Sequence, residues 1–222
     1  MAPPARAREL ARRFREIYPD AHCELDFRNP LELLVATILS AQCTDKRVNI
    51  VTKDLFARCK KAKDYAEMPQ EELEGIVRST GFFRNKAKNI RAMAAKLVAE
   101  HGSKVPRSLD ALAALPGVGR KTANVVLGNA FNIDEGVVVD THVARVSARL
   151  GLTQKTDPLK IEDDLMKLFP RDQWTLLSHW LIWHGRRRCF ARRPDCEHCE
   201  LLDVCPTGPE YLQALPLEDR SL

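Results

Sequence analysis

The chain has 222 residues and a formal net charge of +5, and its 45% hydrophobic and 29% charged residues are typical of a folded globular protein, not a disordered one. Its longest apolar run, residues 31–39, contains Glu32 and is well short of the roughly 20 residues that a membrane-spanning helix needs. The arginine-containing start has no apolar segment of a secretory signal, so the sequence predicts a cytoplasmic protein.

The predicted elements are helices along the whole chain. Apolar residues recur every three or four positions, and no stretch shows the alternation that strands need. Polar side chains and glycines mark several helix ends. The predicted N-caps are Ser108, Asp157 and Asp172, and the predicted helix ends are Gly151 and Gly185. We therefore expect an all-α fold of many short helices.

Residues 109–131 predict a helical hairpin, in which two helices are joined by the turn PGVG. Gly117 and Gly119 allow the backbone to turn sharply, so amides at the start of the second helix can bind a phosphate. A plain turn between packed helices would explain the proline and the glycines. It would not explain Arg120 and Lys121 at the mouth of the turn, which favours a binding or catalytic role.

Asp140 lies between an apolar run and a helix in the segment VVVDTHVARV, a position that predicts a helix N-cap. Capping alone would account for an aspartate here. A carboxylate held by helix amides is also a fixed anion, which can stabilise developing positive charge or accept a proton. His142, in the first turn of the same helix, is either a phosphate contact or a structural histidine.

Four cysteines lie close together near the end of the chain. Their spacing is C-x6-C-x2-C-x5-C, and they are Cys189, Cys196, Cys199 and Cys205. Without a secretory signal, disulfides are the weaker explanation, and four thiolates suit either zinc or an iron–sulfur cluster. With four cysteine ligands available, the intervening His198 is a bystander.

Basic residues fall into three clusters, which favour a polyanionic partner, although a solvated helix face explains any one of them. The clusters are Arg6, Arg8, Arg12, Arg13 and Arg15, then Arg84, Lys86, Lys88 and Arg91, and then Arg186, Arg187, Arg188, Arg192 and Arg193.

Together these segments resemble the endonuclease III family, which are bacterial helix-hairpin-helix DNA glycosylases with an iron–sulfur cluster. The segments that carry the resemblance occur in the family's order over about residues 30–205: LSAQCTD, STGFFRNKA, LPGVGRKTANVV, VDTH and the four-cysteine run. The resemblance implies an all-α fold of two domains with the DNA cleft between them. A six-helix domain would cover residues 28–133, and a helical cluster domain would combine residues 1–27 and 134–222.

The resemblance also implies a bifunctional DNA glycosylase and AP lyase that removes oxidised pyrimidines, such as thymine glycol, from double-stranded DNA. Lys121 would attack the sugar C1′ and form a Schiff base that leads to β-elimination on the 3′ side, with Asp140 as the catalytic carboxylate. The attack needs a neutral amine, so the site must either favour that form, to which burial beside Arg120 would contribute, or remove the proton during the reaction. The loop 189–205 would bind a 4Fe–4S cluster, and the protein would act as a monomer at the bacterial nucleoid.

The remaining site residues follow from the same resemblance. The expected DNA contacts are Gly117, Gly119, Arg120, His142, Arg192 and Arg193. Gln42 would fill the space left by the extruded nucleotide, Asp45 would contact the base, and Phe82 would be a second wedge. The structural alternatives are a helix N-cap for Asp45 and a core aromatic for Phe82, of which we favour the second.

Other functions fit parts of the sequence. Adenine mismatch glycosylases also carry the cluster, but they generally lack a lysine at the position of Lys121 and have a further C-terminal domain. A non-catalytic DNA-binding module, or an adaptor with a zinc site, would have no need of Lys121 together with Asp140.

Overall fold

The computed structural model describes residues 2–214, which form twelve α-helices and no strand. This result confirms the all-α prediction. The chain divides into two compact units: a terminal unit, Met1–His22 with Gly136–Leu222, and a hairpin unit, Cys23–Glu135. The domain boundaries expected at residues 28 and 133 stay a prediction. No helix in the described range is long and apolar enough to cross a membrane.

The hairpin unit contains seven α-helices, one more than the six expected for a central domain. They are α2 (Pro30–Ser40), α3 (Asp45–Arg58), α4 (Ala62–Glu67), α5 (Gln70–Val77), α6 (Phe83–Glu100), α7 (Leu109–Ala113) and α8 (Arg120–Phe131), with a 3-10 turn at Arg78–Thr80. Helix α4 is short. At its start, the Asp64 carboxylate accepts hydrogen bonds from the backbone amides of Lys60 and Lys61 at 2.7 and 2.8 Å. The helix buries Tyr65 completely. This helix therefore depends on its cap and one aromatic residue.

Helix α2 lies in the core of the hairpin unit, and its residues 32–39 are all buried. Each fully buried leucine there contributes roughly 1.5–3 kcal/mol relative to an exposed one. The buried Glu32 is paired with Arg28, whose Nη2 lies 2.7 Å from Oε1. Asn29 caps the helix by accepting the Glu32 amide at 3.0 Å. The start of α2 is therefore fixed by hydrogen bonds and its middle by apolar burial.

The terminal unit contains α1 (Pro3–Ile17), α9 (Thr141–Arg149), α10 (Pro158–Leu168), α11 (Trp174–Arg187) and α12 (Thr207–Ala214), with a 3-10 turn at Arg171–Gln173. In its core the Trp180 ring stacks on Phe14, with centroids 5.9 Å apart. On the surface of α1, Arg13 binds Asp203 through Nη2 and Oδ2 at 2.7 Å. Arg12 is paired with glutamates of its own helix. Two of the five arginines of the first basic cluster are therefore paired with carboxylates of the protein itself.

Three of the predicted helix ends are confirmed. The Ser108 hydroxyl accepts the Ala111 amide at 3.3 Å, and Asp157 Oδ1 accepts two amides at 3.1 Å at the start of α10. Gly151 follows α9 with φ +65°, the conformation in which glycine commonly ends a helix.

The predictions for Asp172 and Gly185 are wrong. Asp172 lies inside the 3-10 turn, and α11 begins only at Trp174. Gly185 lies within α11, and a Cβ atom there would come within 3.1 Å of the His142 side chain. The glycine therefore permits close helix packing and does not end the helix.

Candidate functional site

The predicted hairpin is formed by α7, a tight turn and α8. The Leu115 amide donates to the Leu112 carbonyl at 3.0 Å, and the Val118 amide donates to Leu115 at 3.1 Å. Lys96 of α6 donates to the Ala114 carbonyl at 3.1 Å. Gly119 is the N-cap of α8 and offers no capping side chain. The start of α8 therefore has no side-chain cap from its N-cap residue, and backbone amides at such a helix start can bind an anion.

The two glycines of the turn have different surroundings. Gly117 has φ +75°, and a Cβ there would lie 2.7 Å from the Asn89 Cβ of α6. Gly119 has φ −95°, and a Cβ there would meet no atom within 4 Å. Gly117 is thus required by the turn and its packing, whereas Gly119 leaves the outer side of the turn open for a ligand.

Arg120 and Lys121 are the first two residues of α8, and both are exposed. The expected burial of Lys121 beside Arg120 is therefore wrong, because the first turn of α8 faces outward at these positions. What the hairpin unit offers is a primary amine next to an uncapped helix start.

In the terminal unit, Asp140 is confirmed as the N-cap of α9. Its Oδ1 accepts the amides of His142 and Val143, both at 2.8 Å. His142 Nδ1 lies 3.1 Å from Arg145 Nη2. Burial lowers the pKa of His142. The histidine is thus part of the packing around α9.

Two arginines of α9 hold the backbone of the cysteine loop. Arg145 donates to the Cys189 carbonyl through Nε at 3.2 Å and Nη2 at 3.1 Å. Arg149 donates to the carbonyls of Phe190 at 2.7 Å and Ala191 at 2.9 Å. Neither arginine was predicted from the sequence, where only their i, i+4 spacing on the helix after Asp140 sets them apart. The same helix therefore carries Asp140 at its start and fixes the loop at its other end.

The side chains that follow these carbonyls are turned outward. Arg192 and Arg193 are exposed, and the ring of Phe190 is 42% exposed. A rigid backbone that presents two guanidinium groups to solvent loses little entropy when it binds a polyanion.

The four cysteines line one cavity together with Arg149, His184 and Gly208, and none of them forms a disulfide. Nitrogen donors surround the sulfur atoms. Arg149 Nη1 and the Gly208 amide each lie 3.3 Å from a cysteine Sγ, and His184 Nε2 lies 3.7 Å from Cys199 Sγ. Such contacts are common around iron–sulfur thiolates.

Within residues 2–214, no three histidine, cysteine or acidic side chains converge as the ligands of one metal ion. Four free thiols around one cavity are a ligand set that either a zinc ion or an iron–sulfur cluster takes. His198 is exposed, and its Nδ1 lies 2.8 Å from Asp195 Oδ1. This pairing with Asp195 does not suit a metal ligand.

The two predicted wedge residues share an uncommon backbone conformation. Gln42, between α2 and α3, has φ +53° and is exposed. Phe82, just before α6, has φ +47° and is 65% exposed. The expectation that Phe82 is a core aromatic is therefore wrong, since the turn directs the ring outward and the next residue, Phe83, packs against the core. Left-handed conformations of non-glycine residues cost roughly 1–2 kcal/mol.

Asp45 is the first residue of α3, and the N-cap is Thr44, whose hydroxyl accepts the Arg47 amide at 3.3 Å. The N-cap alternative for Asp45 is therefore wrong. The predicted site residues are divided between the two units. The hairpin unit contains Lys121, Gln42, Asp45 and Phe82, and the terminal unit contains Asp140.

Comparison with known proteins gives consistent matches. A model of the HhH-GPD superfamily of base excision DNA repair proteins matches residues 35–171. Endonuclease III of Synechocystis sp. is 54% identical over 203 residues, which are 91% of this chain and 93% of that protein. Endonuclease III of Bacillus subtilis is 48% identical over 87% of this chain and 88% of that protein. A solved structure of a trapped endonuclease III–DNA covalent intermediate has a TM-score of 0.90 and 46% identity, covering 95% of this chain and 99% of that one.

Proposed function

Since the chain belongs to the endonuclease III family, and is therefore a DNA glycosylase and AP lyase of base excision repair, we propose that it removes oxidised pyrimidines from double-stranded DNA with Lys121 as nucleophile. The observation that carries the proposal is the exposed Lys121 amine at the second position of α8, two residues after Gly119, which is the N-cap residue and has no capping side chain. A DNA phosphate bound at these amides would bring the adjoining sugar towards the amine. The hairpin would thereby position the reaction without reading the base sequence.

The reaction starts from neutral Lys121. The amine nitrogen bonds to C1′ as the glycosidic C1′–N bond breaks, and the departing base takes up a proton. The nitrogen is then a secondary amine, and its last proton is lost as the C1′–O4′ bond breaks and O4′ takes up a proton, which opens the sugar ring and leaves an imine between Nζ and C1′. Removal of a C2′ proton then expels the 3′ phosphate oxygen and cuts the strand. An amine is needed because water would stop at the abasic site.

Asp140 is the carboxylate that this scheme requires. Two amide hydrogen bonds at the start of α9 fix its Oδ1. A fixed anion can stabilise positive charge at C1′ or accept the proton of the amine. Both roles need the negative charge of the carboxylate. An asparagine at position 140 would therefore still cap α9, but it could neither stabilise the positive charge nor accept the proton.

DNA contacts in this proposal come from both units. In the hairpin unit they are the backbone at Gly117 and Gly119 and the side chain of Arg120. In the terminal unit they are the side chain of His142 and the exposed guanidinium groups of Arg192 and Arg193. We further propose that the nucleotide is extruded as Gln42 and Phe82 enter the base stack, with Asp45 at the base pocket.

The four cysteines would hold a 4Fe–4S cluster. Bound there, the cluster would cross-link the loop and make it rigid, since all four ligands lie within it. Amine attack on C1′ transfers no electrons, so the reaction itself does not call for redox chemistry from the cluster. The chain's own part is to surround the sulfurs with the donors of Arg149, His184 and Gly208 and to direct Arg192 and Arg193 outward.

The test is borohydride trapping on a duplex with one thymine glycol, since borohydride reduces an imine to a stable covalent amine. Wild type should form the adduct and Lys121→Ala should not. Lys104→Ala is the matched control, because Lys104 is an exposed lysine of the same unit that has no role in the scheme. Strand cleavage without an adduct, or an adduct with Lys121→Ala, would refute the assignment. Failure of wild type on this duplex, with activity on an adenine mismatch, would favour the mismatch glycosylases.

A further inference from the structure

One lysine of the second basic cluster does not face solvent. Lys86 is only 4% exposed, whereas Arg84 and Lys88 on either side of it are exposed. Its Nζ donates to the carbonyl of Leu39 at 2.8 Å and to the carbonyl of Thr80 at 2.7 Å. Helix α6 therefore points this amine inward, where it joins two segments that are 41 residues apart in the sequence.

Both carbonyls lie just before a predicted wedge residue. Leu39 is in the last turn of α2, where carbonyls have no partner within the helix, and Gln42 follows three residues later. Thr80 ends the 3-10 turn, and Phe82 follows two residues later. Because Gln42 and Phe82 both have positive φ, each segment needs an anchor that keeps the strained backbone in place.

We propose that Lys86 is a positioning residue that couples the Gln42 loop (residues 40–44) to the Phe82 turn (residues 79–83), so that both wedge residues enter the duplex as one rigid unit. The proposal rests on the proposed extrusion of the damaged nucleotide. It assigns a role in the known reaction to a residue that never touches the DNA.

The protonation of Lys86 does not weaken this coupling. Burial lowers the pKa of Lys86, and burying a charged amine is costly unless its hydrogen bonds are made. An ammonium has three donors and a neutral amine has two, so either form can serve both carbonyls. A methionine of similar length would fill the space but serve neither carbonyl.

The first test is amide hydrogen exchange on the DNA-free protein with Lys86→Met. Exchange in residues 40–44 and 79–83 should accelerate together by about tenfold or more, because a charge-assisted hydrogen bond to each segment is lost. Lys53→Met is the control, since Lys53 is an exposed lysine of the same unit, and it should change neither segment. Acceleration in only one segment, or in neither, would overturn the coupling.

If Lys86→Met does not fold, Lys86→Arg gives an equivalent test. A guanidinium is larger than an ammonium, so it cannot occupy the same site without moving at least one carbonyl. Coupled segments should then both change their exchange, whereas a change confined to one of them would refute the proposal.

The second test follows base extrusion by the fluorescence of 2-aminopurine placed next to the lesion. Lys86→Met should reduce the fluorescence change at least as much as Gln42→Ala or Phe82→Ala does alone. If both wedge variants reduce it and Lys86→Met does not, the positioning role is refuted. If neither wedge variant reduces it, the proposed extrusion function fails, and the exchange experiment still decides whether Lys86 couples the two segments.

Discussion

Gly117→Ala should destabilise the hairpin unit for two separable reasons. A non-glycine residue at φ +75° costs roughly 1–2 kcal/mol, and a methyl group 2.7 Å from the Asn89 Cβ adds an overpacking cost of roughly 1–3 kcal/mol. The lower entropy of the unfolded chain offsets roughly 0.5–1 kcal/mol of this. The free energy of unfolding should therefore fall by about 1–4.5 kcal/mol, measured by urea unfolding followed by circular dichroism.

Gly119→Ala is the matched control. Its φ of −95° suits alanine, and no atom lies within 4 Å of the new Cβ. Stability should stay within about 0.5 kcal/mol of wild type. DNA affinity should fall instead, because the methyl group lies on the open side of the turn. Fluorescence anisotropy of a labelled duplex would measure that loss.

A double-mutant cycle separates the two costs of Gly117→Ala. Asn89→Gly removes the atom in the clash, so in that background Gly117→Ala should cost only the backbone strain of roughly 1–2 kcal/mol. The reasoning is refuted if the cost is the same in both backgrounds, or if Gly119→Ala destabilises the protein as much as Gly117→Ala does.

Three further predictions concern the terminal unit. Asp140→Asn should keep the cap of α9 and its stability but slow base excision about 100-fold or more, whereas Asp140→Ala should also lose about 1 kcal/mol of stability, measured by trapping rates and urea unfolding. Arg149→Met should weaken DNA binding about tenfold in anisotropy, because the loop that carries Arg192 and Arg193 loses two backbone hydrogen bonds. Burial, aided by nearby His22, lowers the pKa of His179 to about 4, below its ordinary value of 6.5. The neutral ring therefore stabilises the fold fully above pH 6.5, and up to about 3 kcal/mol of unfolding free energy should be lost as the pH falls from 6.5 to 4.

Each of these has its own contrary outcome. Equal stability loss in Asp140→Asn and Asp140→Ala would mean that the asparagine does not cap the helix. Unchanged affinity in Arg149→Met would mean that the loop holds its conformation without α9. A His179→Gln variant should flatten the pH dependence below pH 6.5, and an unaltered profile would assign that dependence to other groups.

The parts of the site that depend on local sequence were predictable. The PGVG turn and the Asp140 cap are set by the residues next to them, so chain spacing alone located both. Lys86 and Phe82 were not predictable in this way, because residues four apart in a helix share a face, and only the left-handed backbone at Phe82 turns its ring outward while Lys86 reaches carbonyls distant in sequence. The arginines of α9 were missed for a similar reason, since their partners are backbone carbonyls more than 40 residues away.

Helix α6 also limits how the chain can vary in length. Along it, Lys86 anchors the two wedge segments, Asn89 supports Gly117, and Lys96 binds the Ala114 carbonyl. One inserted residue rotates everything beyond it by about 100°. An insertion between positions 86 and 96 would thus misdirect the hairpin contacts relative to the wedge contacts. Homologous chains should accept length changes in the surface loops on either side, such as residues 101–107, and conserve the spacing within this helix.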